Sequence, residues 1–177
     1  MSNDLEEPTN KMESAVDSVL KNHLPGWLAE PKVKVLCYIE RKTKDGQDVA
    51  LVKDGRPIVG RVEILTKAER QLRQLEGLPD AHLRFIMCAV FEANATKGQA
   101  QAGAHHQLAS VERLDVPGKE DQPRLGTRKP DLIVSGYSEV ARAHGSNSIE
   151  QQQLSDVAKS VSQLEMFPAK NDPEKAA

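Results

Sequence analysis

Residues 32–65 read KVKVLCYIERKTKDGQDVALVKDGRPIVGRVEIL, and this stretch decides the fold class. Runs of alternating apolar and polar residues are interrupted by two dipeptides, Asp45-Gly46 and Asp54-Gly55. Asp-Gly supplies the positive φ that a tight hairpin turn requires. The sequence therefore predicts a three-stranded antiparallel meander over about 32–65. Its three strands are expected at 32–41, 48–53 and 56–65. In the first strand one face is the better core candidate, and it carries Val33, Val35, Cys37 and Ile39.

Amphipathic helices are predicted on both sides of this meander. Residues 11–24 carry apolar side chains at helical spacing before Pro25-Gly26. Thr66 with Glu69 forms a capping box that opens a second helix, in which Leu72 and Leu75 are expected to face inward. The run 81–94 fits a helix and a strand equally well by periodicity, and its Ala, Leu, Met and Glu content favours the helix. The expected fold class is α+β, with the meander packed against several amphipathic helices.

The domain organisation follows from shifts in composition along the chain. An acidic, polar start predicts a mobile tail, and a proline- and glycine-containing polar stretch predicts a loop or linker between two helical parts. The predicted parts are a tail at 1–10, an α+β core at 11–115, a loop or linker at 116–130, a C-terminal helical segment at 131–167 and a disordered tail at 168–177.

Composition indicates a soluble cytoplasmic protein, or one carried in a particle assembled in the cytoplasm. The 177 residues are 38% hydrophobic and 28% charged, with a formal net charge of −2. Cys37 and Cys88 lie in apolar runs without a CxxC pattern, which is typical of reduced, buried thiols. No apolar run reaches the roughly 18 residues that a membrane span needs, so no membrane partner is expected.

A local excess of positive charge suggests a nucleic-acid surface. Between residues 31 and 73 there are eleven Lys or Arg against six Asp or Glu, and further basic residues precede Pro130. An ordinary solvated sheet face is the favoured interpretation, and contact with nucleic acid is the alternative. The residues that would contact nucleic acid are Lys34, Arg41, Lys42, Arg61, Arg128 and Lys129.

Catalytic and cofactor motifs are not recognisable in the sequence. HExxH, GxSxG, GxGxxG and GxxxxGK[ST] patterns do not occur, so we expect no cofactor and no catalytic residue. Of the five histidines only His105 and His106 are close in sequence, and adjacent helical positions point about 100° apart rather than forming an i, i+4 metal claw. We therefore expect no metal site.

Two stretches resemble known functional motifs in part. Pro130-Asp131 followed by Glu139, Val140 and Ala141 resembles part of the PD-(D/E)xK nuclease motif, in which two acidic groups hold a divalent ion and a lysine steadies the attacking water. Ala141 stands at the lysine position here. We expect Asp131 instead to open a strand or a turn.

Residues 138–157 resemble the helix-turn-helix of small DNA-binding regulators. A short helix is predicted over Ser138–His144, and Gly145 ends it. The residues that match the packed aliphatic, the small residue, the turn glycine and an apolar position on the second helix of the motif are Val140, Ala141, Gly145 and Leu154. His144 and Gln151 stand where the motif buries apolar side chains. This resemblance implies a degenerate helix-turn-helix that, with the basic meander face, would serve a nucleic-acid-binding regulator.

A second capping box, Ser148 with Gln151, predicts a last helix that runs to Met166, and this helix suggests a different function. Its apolar positions form a narrow stripe typical of a helix that docks in one partner groove. We expect a non-enzymatic accessory or structural protein that acts through protein–protein interaction, of the kind found in phage or plasmid assembly, with a second copy or another protein as partner. The docking residues would be Leu154, Val157, Val161 and Leu164.

Overall fold

The computed structural model describes residues 2–53, 55–114, 123–131 and 136–155. The strands are β1 (Ser2–Glu6), β2 (Val35–Lys44), β3 (Gln47–Val49), β4 (Leu51–Lys53), β5 (Arg56–Ile58), β6 (Gly60–Ile64), β7 (Leu83–Cys88), β8 (Val111–Leu114) and β9 (Arg124–Thr127). The α-helices are α1 (Asn10–Asn22), α2 (Lys67–Leu75), α3 (Ala89–Asn94), α4 (Lys97–Leu108) and α5 (Ser138–His144), and residues 149–155 are also helical. The predicted α+β class is confirmed.

The main sheet is mixed, with the strand order β1-β2-β7-β6 and β3 paired to the end of β2. β2 and β7 are parallel, with Val35 opposite Leu83 and Cys37 opposite Phe85. β1 and β6 close the two sides in antiparallel register. β2 and β7 are the two inner strands of the described sheet, because each has a neighbour on both sides.

The two Asp-Gly turns form where the sequence predicts them, but the strands between them do not make one meander. Asp45 and Gly46 have φ of 53° and 78°, and Gly55 has φ of 76°. β2 and β3 form the first hairpin, and β4 and β5 form a second one in a separate two-stranded sheet. β6 then pairs with β7. The prediction that residues 32–65 form one three-stranded meander is therefore wrong.

The sequence preference for a helix over 81–94 is wrong for its first half. Leu83–Cys88 form β7, and only Ala89–Asn94 form a helix, α3. Five of the six β7 residues are buried, because helices cover one face of the sheet and Leu51 of β4 approaches Cys88 on the other. A strand that is buried on both faces carries a continuous apolar run, which periodicity alone cannot distinguish from a helix.

The core lies between the sheet and the packed pair α1 and α4. The predicted apolar stripe of α1 is buried, with Met12 and Val19 at 0% exposure. It packs on the alanine-rich face of α4 and on the inner sheet face, which includes Phe85. Val33, Val35, Cys37 and Ile39 line that inner face, as the alternation in the first strand predicts.

Two predicted irregular segments contain strands. Ser2–Glu6, expected to be a mobile tail, form β1, since the edge of β2 offers backbone partners and Arg41 pairs with Glu6. Arg124–Thr127, expected to be loop or linker, pair with β8. From composition alone, each segment buries too little apolar surface to offset the conformational entropy lost on ordering. In both places main-chain hydrogen bonds to a neighbouring strand supply the missing stabilisation.

Helix α2 begins at the predicted capping box but does not bury its leucines. The Thr66 side chain and Glu69 satisfy each other's backbone groups, and Gly77 with φ of 70° follows the helix. None of the nine residues of α2 is buried. Leu72 and Leu75, expected to face inward, are 55% and 85% exposed.

Among the described residues, no helix has the length and apolar character needed to cross a membrane.

Candidate metal centre

Three helices bring together histidines that are far apart in sequence. His23 caps the C-terminal end of α1, His105 lies in the last turn of α4 and His144 is the last residue of α5. α4 packs on both other helices, and small residues on its surface permit this close approach. The three imidazoles therefore meet where these helices end.

The geometry of this histidine cluster, defined as His23, His105 and His144, suits a metal ion. One ring nitrogen of each residue lies within 4.8 Å of the others. His105 Nδ1 and His144 Nε2 are 3.1 Å apart. Two nitrogens at Zn–N distances of about 2.0–2.1 Å in a tetrahedral site are about 3.3 Å apart, so this pair is nearly in place.

The ring of His23 must turn to complete such a site. It stacks on His105 with a centroid separation of 4.5 Å and an interplanar angle of 17°. The lone pair of an imidazole nitrogen lies in the plane of its ring, so stacked rings do not direct their lone pairs at one point. His23 therefore has to change its side-chain torsions before the three lone pairs can meet at one ion.

Burial keeps two of the three histidines, His105 and His144, uncharged at neutral pH. Burial, with the neighbouring His23 and His144, lowers the pKa of His105 to about 3. Burial and His23 also lower the pKa of His144. Neutral imidazole is the form that binds a metal, so protons do not compete strongly for these two nitrogens at pH 7.

A buried carboxylate lies beside the cluster. Glu150 is 0% exposed, and its Oε1 accepts hydrogen bonds from His106 Nδ1 at 2.6 Å and from the Tyr137 backbone N–H at 3.3 Å. Burial raises the pKa of Glu150, but the hydrogen bond from His106 and those from backbone N–H groups together outweigh it, so the net pKa is lowered. Glu150 Oε2 has no hydrogen-bond partner in the described part of the chain.

The backbone is shaped around Glu150. A Cβ at Gly136 would lie 2.3 Å from Glu150 Cγ, so the carboxylate fits only because residue 136 has no side chain. Ser148 Oγ accepts the Gln151 backbone N–H at 3.2 Å, which caps the helical stretch that carries Glu150. This cap is the start of the last helix that the sequence predicts.

The acidic residues of the nuclease-like stretch have other partners. Asp131 accepts hydrogen bonds from the Ser138 backbone N–H and hydroxyl, and these hydrogen bonds lower the pKa of Asp131. Glu139 pairs with Arg128 at 2.7 Å. Asp131 therefore holds the start of α5, and Glu139 holds Arg128.

The predicted nucleic-acid residues are mostly paired with carboxylates. Lys34 pairs with Asp80, Arg41 with Glu6 and Asp48, Arg61 with Glu63 and Glu40, and Arg128 with Glu139 and Asp131. Lys42 lies on β2 and Lys129 directly after Arg128. Partners of opposite charge weaken the attraction that these cations would exert on phosphates. Arg41 and Lys42, as neighbours on a strand, point to opposite faces of the sheet.

Most of the predicted docking residues lie outside the described residues. Val157, Val161 and Leu164 belong to this group, while Leu154 is described and is 37% exposed. The described part of the helix-turn-helix stretch contains α5 and the helical residues 149–155, with Val140 and Ala141 buried.

In comparisons with protein-family models, curated proteins and solved structures, nothing matches this chain. The candidate function therefore depends on its own side chains.

Sequence reasoning missed the histidine cluster and Glu150. The His105-His106 dipeptide was the visible signal, but the two rings point to different partners and only His105 joins the cluster. The other two histidines are 82 and 39 residues away from His105, and no local spacing predicts that they meet.

Proposed function

We propose that this protein binds a divalent transition metal ion of the Zn²⁺ type through His23, His105 and His144. The observation that carries the proposal is the convergence of three ring nitrogens within 4.8 Å of one another. Imidazole ligands suit Zn²⁺, Cu²⁺, Ni²⁺ and Fe²⁺, and a site with three protein ligands leaves one tetrahedral position open. This conclusion replaces the expectation that the chain has no metal site.

The competing explanation is a hydrogen-bonded histidine pair. His105 Nδ1 and His144 Nε2 at 3.1 Å also fit an N–H···N hydrogen bond. A hydrogen bond accounts for two of the three rings and gives no reason for His23 to lie against them. Metal binding distinguishes the two explanations directly.

The test is Zn²⁺ binding to the full chain after removal of bound metal with a chelator. Isothermal titration calorimetry should give one ion per chain, and His144→Ala should weaken the affinity roughly 100-fold or more. The matched control is His82→Asn, since His82 is buried elsewhere and its Nδ1 accepts the Lys34 N–H. Failure of the wild-type chain to bind Zn²⁺, or equal affinity in His144→Ala, would refute the proposal.

A second candidate function is association through a protein surface, as the sequence suggests. The observation that favours it is the set of exposed leucines on and after α2, with Leu72, Leu75 and Leu78 at 55%, 85% and 45% exposure. We propose a second copy of the chain as the partner. Light scattering should show a dimer that Leu72→Glu with Leu75→Glu converts to a monomer, and a monomeric wild-type chain would exclude it.

Nucleic-acid binding stays a prediction from the sequence. The charge pairing of Lys34, Arg41, Arg61 and Arg128 gives it no added support.

A further inference from the structure

We propose that a groove between α1 and β2 binds a basic peptide segment of another protein, which adds to β2 as an extended strand. This edge groove has a volume of about 780 Å³ and is lined by one face of α1, by residues 35–38 of β2 and by Glu7 and Pro8 after β1. None of the three histidines of the cluster lines the edge groove, so the proposal does not depend on metal binding.

The floor of the edge groove is an open strand edge. β1 pairs with β2 only as far as Glu6 opposite Ile39, and the chain then leaves the sheet through Pro8, which has no N–H to donate to a strand. Residues 35–38 of β2 therefore have β7 on one side and no described strand on the other. An open edge of this kind is a template for a further strand, which here would continue the line of β1.

Two residues of this edge direct their main-chain groups into the edge groove. Successive residues of a strand point their N–H and C=O groups to opposite sides. The Lys34 carbonyl accepts N–H groups from the β7 side, so by alternation the main-chain groups of Val35 and Cys37 face the edge groove. They offer two N–H and two C=O groups to a partner. Hydrogen bonds to such groups provide the affinity when a peptide adds to a sheet edge.

The apolar row on the inner sheet face is less covered at the edge groove than on either side of it. Val33 and Ile39 are 4% and 5% exposed, whereas Val35 and Cys37, which lie between them on the same face, are only partly buried. Val16 of α1 forms part of the opposite wall. Apolar groups of a bound segment would cover this part of the row and remove its remaining surface from water.

Three carboxylates at the edge groove determine the charge of the partner. Glu13 and Asp17 are on α1 and Glu7 follows β1, and all three residues are exposed. Within the described part of the chain, none of them forms an ion pair. A basic partner would supply the missing opposite charge, whereas an acidic partner would be repelled.

The spacing of these groups fits a basic residue at every second position of the partner. Glu13 and Asp17 are four residues apart in α1, which is about 6 Å at a rise of about 1.5 Å per residue. Side chains on one face of a strand repeat every two residues, or about 6.6–6.8 Å. The aliphatic stems of lysines can lie over Val35 and Cys37 while their ammonium groups reach the two carboxylates. We therefore expect lysine or arginine alternating with apolar residues.

A second copy of this chain fits the edge groove less well than another protein does. The edge strands of the main sheet are acidic or neutral: β1 carries Asp4 and Glu6, β3 carries Asp48, and β6 carries one residue of each charge. None of these described strands would bring an excess of positive charge to Glu13 and Asp17. The charge of the edge groove therefore favours a different protein as the source of the segment.

The test titrates the full chain with the peptide Lys-Val-Lys-Val-Lys-Val, acetylated at its N-terminus and amidated at its C-terminus, in the presence of a chelator. Isothermal titration calorimetry should give one peptide per chain with a Kd below about 1 mM, and the affinity should fall as salt is added. One control peptide, Glu-Val-Glu-Val-Glu-Val, reverses the charge. A second keeps the lysines but has every backbone nitrogen methylated, so it has no N–H to donate. Both should bind at least about tenfold more weakly.

A pair of exposed substitutions tests the charge of the edge groove. Glu13→Gln with Asp17→Asn should weaken binding of the lysine peptide roughly 3- to 30-fold, the effect of two exposed ion pairs. The matched control is Glu76→Gln with Glu112→Gln, which removes the same net charge at exposed positions outside the edge groove. The control should change the affinity by less than about twofold, because charges this far from the peptide are screened.

A second readout locates the peptide on the main chain. In hydrogen exchange followed by NMR, the Val35 and Cys37 amides should exchange roughly tenfold more slowly at a peptide concentration about ten times the Kd, since about nine-tenths of the chain is then covered. The amides of Leu36 and Tyr38 face β7 and should change little. A peptide held only by its charge would leave all four rates unchanged.

The possible results distinguish the occupants of the edge groove. Absence of binding, equal affinity of the methylated or the acidic peptide, equal affinity of the Glu13→Gln, Asp17→Asn variant, or unchanged exchange at Val35 and Cys37 overturns the proposal. Slow exchange of these two amides in the free chain at low concentration would show that a segment of the same chain occupies the edge groove. Slow exchange that appears only as the protein concentration rises, together with a dimer in light scattering, would assign it to a second copy. Both of these results also overturn the proposal.

Discussion

Residues that are neighbours in sequence have different roles at the end of α4. His105 meets His144, while the next ring, His106, donates to Glu150. The helical angle of about 100° between adjacent positions directs the two rings to different helices. Because of this angle, His105 and His106 cannot bind one metal ion together. The same angle allows α4 to place His105 in the histidine cluster and His106 against Glu150.

Cys37 should be unreactive at neutral pH in the folded protein. Burial, with Glu13 and Asp17 nearby, raises the pKa of its thiol to about 12, so at pH 8 roughly one thiol in 10⁴ is ionised. Cys88 is 1% exposed, so a reagent has almost no access to its sulfur. We expect thiol modification by Ellman's reagent at pH 8 to be at least about 100-fold slower than in guanidinium chloride. Rapid, stoichiometric modification of the native protein would contradict this.

His82 should make the stability of the protein depend on pH. Burial and the nearby Arg70 lower its pKa, and its Nδ1 accepts the Lys34 N–H, which a protonated ring cannot do. The stability that neutral His82 contributes is fully present above about pH 6.5, the ordinary pKa of histidine. It is lost as the pH falls, because His82 binds a proton at a higher pH in the unfolded chain than in the folded one. The slope from this one group reaches at most about 1.4 kcal/mol per pH unit.

Chemical denaturation between pH 7.5 and 5.5, in the presence of a chelator, measures this slope. His82→Asn keeps an acceptor for the Lys34 N–H and does not titrate, so its stability should depend less on pH than that of the wild type. Equal slopes in the two proteins would show that His82 is not the responsible group.

At the level of elements, the pairing of β6 with β7 depends on a glycine. A Cβ at Gly60 would lie 2.4 Å from the Ile86 carbonyl oxygen. The Ile86 carbonyl oxygen cannot move away, because β7 is hydrogen-bonded to β2 on one side and to β6 on the other. The glycine at the start of β6 therefore allows the two strands to approach.

Gly60→Ala should destabilise the protein by about 1–3 kcal/mol, the usual cost of overpacking. Gly26→Ala is the matched control, since a Cβ there meets nothing within 4 Å, and it should change stability by less than about 0.5 kcal/mol. Urea unfolding curves of the two variants measure the difference. Similar midpoints for both would argue against close packing of β6 on β7.

At the level of the whole molecule, the histidine cluster joins three helices that are far apart in sequence. Its members come from the ends of α1, α4 and α5. A metal ion bound there stabilises the packing of all three helices at once, because the unfolded chain does not hold the three ligands together.

Zn²⁺ should therefore raise the melting temperature of the full chain. At a concentration about 100 times the dissociation constant the stabilisation is about 2.7 kcal/mol, which corresponds to roughly 5–10 °C for a protein of this size. Differential scanning calorimetry with Zn²⁺ and with a chelator measures it, and His144→Ala should show no such increase. An unchanged melting temperature of the wild-type protein would contradict metal binding to the folded state.

The sequence by itself determined the local features. The two Asp-Gly turns, the α1 stripe, the capping box at Thr66, helix α5 and the helix start at Ser148 all occur where the residues predict them. Each depends on a few adjacent side chains and on backbone preferences that act over one or two turns. The alternation in the first strand also identified the correct core face.

Only the tertiary structure decided which strands pair and which side chains meet. β7 is a strand because it is buried between β2 and β6, and the leucines of α2 are exposed because no described element covers them. The histidine cluster and the orphan oxygen of Glu150 arise where α4 and α5 pack against each other and α4 against α1. Contacts between residues tens of positions apart leave no periodic trace in the sequence, because they are set by packing of whole elements rather than by neighbouring residues.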